Sequence, residues 1–301
     1  MDKSKTGYFY LVLTILLWSA TPAVAKLALG ELNNYQLLFY TSIVGAISLF
    51  LVNLFQGKLH LLSQYTKKDY LIMFGMGFVG IFLYYVFLYG AFALTPAGQV
   101  NVVNYLWPVF IILFSIPILR EKFNFKTILA IGVSFIGALI AFTQGNISAF
   151  SGEHATGYLL AAIGALCYGL FSVVGKKLEY EKFSSMLVYC VAGSILIIPT
   201  SLAMSGFVIP KSSTTIIAIL ALGGIMNSIA FVFWFKALKI GHTHKTANLI
   251  YSVPFLAMIW TYFLNGEQFS IASVIGLALI VTGIFIQLTN RDESKEFSTQ
   301  K

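Results

Sequence analysis

Long apolar runs recur along the whole chain, and they restrict its possible folds more than any other feature. A helix needs about 20 apolar residues to cross the hydrocarbon core of a bilayer, and these runs approach that length. Only 10% of the residues are charged, whereas a soluble domain usually has about a quarter charged residues. The runs predict an all-α integral membrane protein with ten transmembrane helices, at about 7–29, 35–55, 70–92, 97–118, 126–143, 157–178, 184–204, 214–236, 246–264 and 270–289.

The positive charges are distributed unevenly between the predicted loops. Of the 19 Lys and Arg residues, all but Lys26 and Lys211 lie near the termini or in every second loop. Positively charged flanks stay on the cytoplasmic side, so we expect both termini to be cytoplasmic and the protein to lie in the cell membrane. This topology accounts for the net charge of +8. We therefore expect the lipid bilayer as a partner and no binding to nucleic acid.

The chain matches itself at two offsets, which indicates an internal duplication. At an offset of 150, Trp18 corresponds to Tyr168 and Lys26 to Lys176. At an offset of 146 the match runs without gaps through the third to fifth helices of the first half. It pairs Gly77 with Gly223, Ala91 with Ala237, Tyr105 with Tyr251, Pro108 with Pro254, Glu121 with Glu267 and Gly137 with Gly283.

The duplicated halves must cross the membrane in opposite directions, because each has five spans. Inverted repeats of this kind are typical of carriers that bind a solute near the midplane. We predict a first five-helix repeat at 1–143, an inverted second repeat at 144–290 and a polar cytoplasmic tail at 291–301. Glu121 is then expected on the cytoplasmic side and Glu267 on the opposite side.

Two repeated motifs resemble the drug/metabolite transporter superfamily, specifically its ten-helix members with two EamA-type repeats. In the first motif an aromatic residue is followed eight positions later by Lys, and in the second a Pro precedes an apolar run that ends in Glu. The resemblance covers residues 7 to 289, and the string Asn104-Tyr105-Leu106-Trp107-Pro108 is similar to the fourth helix of bacterial amino-acid exporters. It implies export of amino acids or related metabolites. Many relatives have an Arg in the second helix, but residues 37–51 contain none.

Polar side chains within the spans form stripes that we expect to face the protein interior or a water-filled cavity. Asn101, Asn104 and Tyr105 share one face of helix 4, and Asn248 and Tyr251 repeat that pattern in helix 9. Carboxamides offer donors and acceptors to a zwitterion, and aromatic rings offer apolar walls or cation–π contacts. The candidate substrate-binding residues are Trp18, Thr21, Lys26, Tyr85, Asn101, Asn104, Tyr105, Tyr168, Ser172, Asn227, Trp234, Asn248 and Tyr251.

Each of these residue types also has a structural interpretation. Asn and Ser can join helices by hydrogen bonds, and Trp and Tyr can mark the membrane interfaces. Lys26, taken as the one charged side chain inside a span, can bind a carboxylate or extend to the outer surface. Pro22 and Pro108 are expected to interrupt their helices, which would free carbonyls for the site or only bend the helices.

The favoured function is an alternating-access carrier that exports small metabolites, and the alternative is uptake or exchange of another small metabolite or a drug. A channel is less favoured because the repeat is inverted, and an intramembrane enzyme because no cluster of His and carboxylates appears in the spans. The spans also lack the carboxylate or His of many proton-coupled carriers, which favours facilitated diffusion or coupling through Glu121 or Glu267. No cofactor or metal is implied, and the oligomeric state is left open.

Overall fold

Ten apolar helices make up the computed structural model, which describes residues 3–121, 125–146, 152–266 and 270–288. Eight of them are long and apolar enough to cross a membrane, and the two shorter apolar helices are the fifth and the last. The helices are α1 (Lys3–Leu29), α2 (Asn34–Phe55), α3 (Lys67–Leu94), α4 (Ala97–Asn104 and Trp107–Leu119), α5 (Phe125–Thr143), α6 (Ala155–Lys177), α7 (Lys182–Ser205), α8 (Ser213–Ile240), α9 (Thr243–Leu249 and Ser252–Asn265) and α10 (Ile271–Leu288).

The predicted all-α membrane architecture is confirmed, with helix ends that differ from the predicted ones by a few residues. The largest differences are four residues, at the start of α1, which begins at Lys3, and at the end of α8, which continues to Ile240. Lys236 therefore lies inside this helix, where its ammonium group sits 4.9 Å from the ring centre of Tyr10 and 4.5 Å from that of Phe183. The expectation that Lys26 is the one charged side chain within a span was wrong, because α8 continues one turn beyond Lys236 and so places it inside the helix rather than at its end.

The packing of the helices follows the inverted repeat. Helix α1 packs against α8 and α9, and its counterpart α6 packs in the same way against α3 and α4. Likewise, α2 contacts α8 while its counterpart α7 contacts α3, and α2 and α7 also contact each other. Most of the helix packing therefore joins one half to the other, which places the interface between the halves at the centre of the molecule.

Helices α5 and α10 cross at two glycines. A Cβ atom built on Gly137 would lie 2.6 Å from the carbonyl oxygen of Gly276, and one built on Gly276 would lie 2.6 Å from the carbonyl oxygen of Gly137. This reciprocal contact leaves no space for a side chain at either position. Small residues allow such close backbone approach between membrane helices, where packing rather than hydrophobicity drives association.

Both halves interrupt the same two helices. A π-helical segment lies within α3 at Phe78–Leu83 and within α8 at Leu222–Ile229. Helix α4 is broken at residues 105 and 106, and α9 is broken at residues 250 and 251, which is one position earlier in the repeat register. Pro108 is the second residue after the break in α4, whereas Pro22 lies inside an uninterrupted helix, so the expected break at Pro22 was wrong.

Candidate functional site

A cavity of about 650 Å³ lies between the two halves. Its lining begins at Lys26, Asn34 and Gln144, near the ends of α1, α2 and α5 on one face of the membrane. We call this face the Lys26 side and the opposite face the Lys176 side. Lys26 and Gln144 are exposed, whereas Tyr168 deep in the cavity is only 3% exposed. The cavity therefore opens on the Lys26 side.

Five aromatic side chains from both halves close the inner end, and we call them the aromatic floor: Trp18, Trp107, Tyr168, Phe231 and Trp234. Trp107 packs edge-on against Tyr168 and Trp234, with ring centres 5.0 and 5.4 Å apart. Trp18 contacts Phe231 at 5.5 Å. Edge-to-face contacts at such distances stabilise aromatic clusters beyond the effect of burial alone.

Two of the three indole N–H groups of the aromatic floor are bonded inside the protein. Trp18 Nε1 donates to the carbonyl oxygen of Met226 at 3.0 Å, and Trp234 Nε1 donates to Ser172 Oγ at 3.1 Å. Both acceptors belong to the second half. The Trp18 bond therefore ties α1 to the π-helical segment of α8, while the floor presents mainly ring surface to the cavity.

The first half supplies a polar wall from α3 and α4, namely Tyr84, Tyr85, Tyr89, Asn101 and Asn104. Asn101 makes no side-chain hydrogen bond with the described residues. The buried Oδ1 of Asn104 likewise has no hydrogen-bond partner among them. Since each buried polar group normally has a partner, these carboxamides can exchange hydrogen bonds with a bound solute or with water.

The second half supplies a largely apolar wall from α9. Val253, Pro254, Ala257 and Met258 line the cavity together with the fully buried Ile250. The other contributions of this half are Tyr168 of α6 and Asn227 and Phe231 of α8. The cavity thus has a hydrogen-bonding wall from α3 and α4 and a mainly apolar wall from α9.

Most of the candidate residues come together along this cavity. The repeat-equivalent residues Trp18 and Tyr168 have ring centres 6.1 Å apart at its inner end. Thr21 also donates a hydrogen bond of 3.3 Å to the carbonyl oxygen of Leu17. The candidates in the cavity lining are Trp18, Thr21, Lys26, Tyr85, Asn101, Asn104, Tyr105, Tyr168 and Asn227.

Ser172, Trp234, Asn248 and Tyr251 were also candidates, but they are not part of this lining. Ser172 and Trp234 are fully buried and bonded to each other beneath the cavity. Asn248 is fully buried and donates to the carbonyl oxygen of Gly283 at 3.1 Å, so it joins α9 to α10. The break in α9 changes which face is presented, and Val253 and Ala257 line the cavity instead of the polar stripe.

The structure adds lining residues that the polar stripes did not include. Trp107 is 5% exposed and forms the centre of the aromatic floor. It follows the two-residue break in α4, so a continuous helical wheel does not predict which way its side chain points. Phe231 and Tyr89 also line the cavity, and their apolar or aromatic neighbours in the sequence gave no signal to separate them from ordinary core residues.

The Lys176 side is closed by a polar layer that joins the halves. Lys176 Nζ lies 2.9 Å from Glu121 Oε1 and donates to Thr243 Oγ1 at 2.6 Å. Thr243 in turn donates to the same Glu121 oxygen at 2.6 Å. Glu121 belongs to the first half and the other two residues to the second, so the triad links α4 to α6 and α9.

A second ion pair in this layer joins Lys58, before α3, to Glu181, before α7, at 2.9 Å. Burial alone raises the pKa of the Glu181 carboxyl, but the Lys58 ammonium and the backbone N–H of Ser184 favour its charged form and hold its pKa below the usual range. The Lys58–Glu181 pair therefore stabilises the folded protein at pH values above the usual pKa of a carboxyl group. This stabilisation is lost as the pH falls through the lowered pKa of Glu181. Within the described ranges, no three His, Cys, Asp or Glu residues are grouped to hold a metal ion.

Glu267, the counterpart of Glu121, lies outside the described residues, as does the predicted tail at 291–301.

Known proteins share this architecture. A model of the EamA-like transporter family matches residues 5–143 and again 155–289. An uncharacterized transporter of Archaeoglobus fulgidus is 26% identical over 288 residues, which cover 94% of this chain and 97% of the relative. The aromatic amino acid exporter YddG of Ancylobacter novellus is 28% identical over 270 residues, covering 89% of this chain and 92% of that protein.

A crystal structure with 23% sequence identity has the same fold, with a TM-score of 0.83 over 94% of this chain and 96% of that chain. The two family matches together span nearly the whole sequence. The named relatives are transporters and not enzymes. This chain is therefore a multi-pass membrane transporter of the EamA-like transporter family, within the drug/metabolite transporter superfamily.

Proposed function

We propose that this transporter is an alternating-access carrier that exports small metabolites, with amino acids or related compounds as its favoured substrates. The observation that carries the proposal is a cavity between two inverted halves that opens on one side only. Carriers with inverted repeats bind the solute between the halves and expose it to each side in turn. A carrier in its outward-open state is closed on the cytoplasmic side. If the Lys26 side faces outward, the aromatic floor and the polar layer provide this closure on the Lys176 side.

The cavity chemistry supports a small amphipathic substrate. Its volume of about 650 Å³ falls in the range of about 300–1,000 Å³ that is usual for small-molecule sites. Asn101, Asn104 and Asn227 offer neutral donors and acceptors to an amino or carboxyl group. Lys26 at the mouth can attract a carboxylate, and the similarity to an aromatic amino acid exporter favours the same class. We propose the lining candidates as the substrate-binding residues.

Orientation completes the proposal. The distribution of Lys and Arg supports a topology in which both termini and the polar layer lie on the cytoplasmic side. Reporter enzymes fused after residue 301 and in the loop between α1 and α2 test this topology. A C-terminal reporter that is active only outside the cell would exclude the outward-open assignment.

The decisive experiment is transport by the purified protein in proteoliposomes. Vesicles loaded with a panel of labelled amino acids should release some of them faster than protein-free vesicles, and release should saturate with substrate concentration. Uptake or exchange, the alternative direction, is tested by placing the same solutes outside and following counterflow. Electrical currents far above carrier turnover would indicate a channel and contradict the proposal.

A further inference from the structure

The two halves present unlike surfaces to the cavity although they share one plan. Asn104 and Ile250 are equivalent at the repeat offset of 146, and both contribute to the lining. One offers a carboxamide, with its Oδ1 atom unpartnered among the described residues, and the other a fully buried hydrocarbon chain. Duplication would place the same chemistry on both walls, so this position has diverged in polarity.

The difference extends along α9 on one face of the helix. Val253 and Ala257 are 5% and 7% exposed, and Pro254 and Met258 accompany them in the lining. Residues four apart on a helix lie above one another, so Val253 and Ala257 form a continuous apolar strip. The aromatic floor continues this surface across the inner end, and the indole N–H groups of Trp18 and Trp234 are already bonded inside the protein.

We infer that this α9 strip determines which solutes are transported, and that the accepted class is amphipathic. Such a solute carries a ring or a branched apolar group that covers Val253 and Ala257. It also carries hydrogen-bonding groups along its opposite edge, toward Asn101 and Asn104. A uniformly polar solute is rejected because its groups against α9 lose their hydrogen bonds to water and gain none. The inference rests on the proposed transport through this cavity and adds to it the residues that select the substrate.

Two nearly isosteric substitutions test the inference in the full-length protein. Val253→Thr and Ala257→Ser add a hydroxyl to the strip with little change in shape, so they alter its polarity more than its volume. The probes are tryptophan and glutamine, which share the amino-acid backbone but differ in the polarity of their side chains. The measured quantity is the ratio of their saturable transport rates in proteoliposomes, at concentrations below saturation.

The parent protein should favour tryptophan over glutamine by about tenfold or more, since the strip rejects an unpaired polar group. Each hydroxyl variant should lower that ratio by about fivefold, because the added hydroxyl gives a polar solute group a hydrogen-bond partner on the strip. Val191→Thr is the matched control, because Val191 of α7 is 41% exposed and is not part of the cavity lining. Its ratio should equal that of the parent.

Failure of the inference and failure of the proposed function give different results. Transport of glutamine as fast as tryptophan by the parent, or an unchanged ratio in both well-expressed hydroxyl variants, would overturn the selectivity assignment and leave the carrier proposal standing. Absence of transport for every amino acid of the panel would overturn both. A variant that is poorly expressed is replaced by Val253→Ser, for which a lower ratio is again expected and an unchanged one contradicts the inference.

Discussion

The hydroxyl of Tyr251 donates a hydrogen bond of 3.1 Å to the carbonyl oxygen of Tyr105, and the two rings lie 6.2 Å apart. These residues are equivalents in the internal repeat. Each also lies at the break of its helix, at the junction between the two segments of α4 and of α9. The bond therefore joins the two interrupted helices near the pseudo-twofold axis that relates the halves.

Removing this bond should affect conformational exchange more than binding. Tyr251→Phe leaves the Tyr105 carbonyl without its donor, at a cost of about 1 kcal/mol. Because Tyr251 is fully buried outside the cavity lining, we expect a lower thermal midpoint and an altered transport rate with little change in substrate affinity. Tyr8→Phe is the control, because Tyr8 is 43% exposed and is not part of the cavity lining. A loss of affinity equal to that of lining variants would contradict this assignment.

The aromatic floor should contribute directly to binding. Trp107→Ala removes the ring that contacts Tyr168 and Trp234. Trp18→Ala removes a second ring of the first half, which itself contacts Trp107. Loss of one aromatic contact costs about 0.5–1.5 kcal/mol beyond lost area, so affinity for aromatic probes should fall about fivefold or more. Trp260→Ala is the comparison, because this ring is 38% exposed outside the cavity. Equal effects at Trp107 and Trp260 would argue for a general stability defect.

The Lys176–Glu121 pair should hold the Lys176 side closed. Lys176→Met leaves the Glu121 carboxylate without its cation. We expect faster amide hydrogen exchange in residues 175–185. Because both side chains are partly exposed, we expect the equilibrium between the closed and open forms of the Lys176 side to shift by about tenfold. Lys177→Met is the control, because it removes the same charge from an exposed neighbour.

Coupling between the two partners is measured by a double-mutant cycle. If Glu121→Gln has the same effect in the Lys176→Met background as in the parent, the two side chains do not act together. The role of the pair as a closure would then be wrong.

Lys26→Met should weaken transport of carboxylate-bearing solutes at limiting concentration, since it removes the cation at the cavity mouth. Lys26→Arg should preserve most of the activity. Membrane insertion, followed by expression and solubility in detergent, should be normal in both variants. Transport equal to that of the parent would leave extension of the side chain to the membrane surface as its role.

The α5–α10 crossing should tolerate no Cβ atom. Gly137→Ala and Gly276→Ala each force the helix backbones apart, at a cost of about 1–3 kcal/mol for an overpacked contact. We expect lower thermal midpoints than for Gly132→Ala in the same helix α5, where an added Cβ meets nothing within 4 Å. Indistinguishable midpoints for the three variants would show that the crossing can relax at little cost.

The sequence alone predicted the membrane class and the helix plan because both depend on quantities that add along the chain. Apolar length identifies a span whatever its neighbours are, and the duplicated pairs such as Tyr105 and Tyr251 report symmetry directly. The same symmetry pairs Trp18 with Tyr168, and their ring centres are 6.1 Å apart. These predictions needed no knowledge of side-chain direction.

The composition of the cavity wall was harder to predict because it depends on helix rotation. A continuous helical wheel places Asn248 and Tyr251 together with Tyr105 around the site, but the break in α9 exposes Val253 and Ala257 instead. Trp107 was missed for the same reason, since it follows the break in α4. An interrupted helix changes phase at its break, and no pattern in the sequence states by how much.

The π-helical segments of α3 and α8 also constrain how these helices can vary in sequence. A π turn holds one more residue than an α turn, so every later side chain is rotated by about 100° relative to an uninterrupted helix. In α3 the residues after Phe78–Leu83 include Tyr84, Tyr85 and Tyr89, all of which face the cavity. Deleting a single residue from this segment could be absorbed as regular α-helix with little loss of hydrogen bonding, and it would turn all three tyrosines away from the solute. A carrier of this design can therefore exchange the α3 part of its polar wall by a one-codon insertion or deletion, without any substitution among the tyrosines that form it.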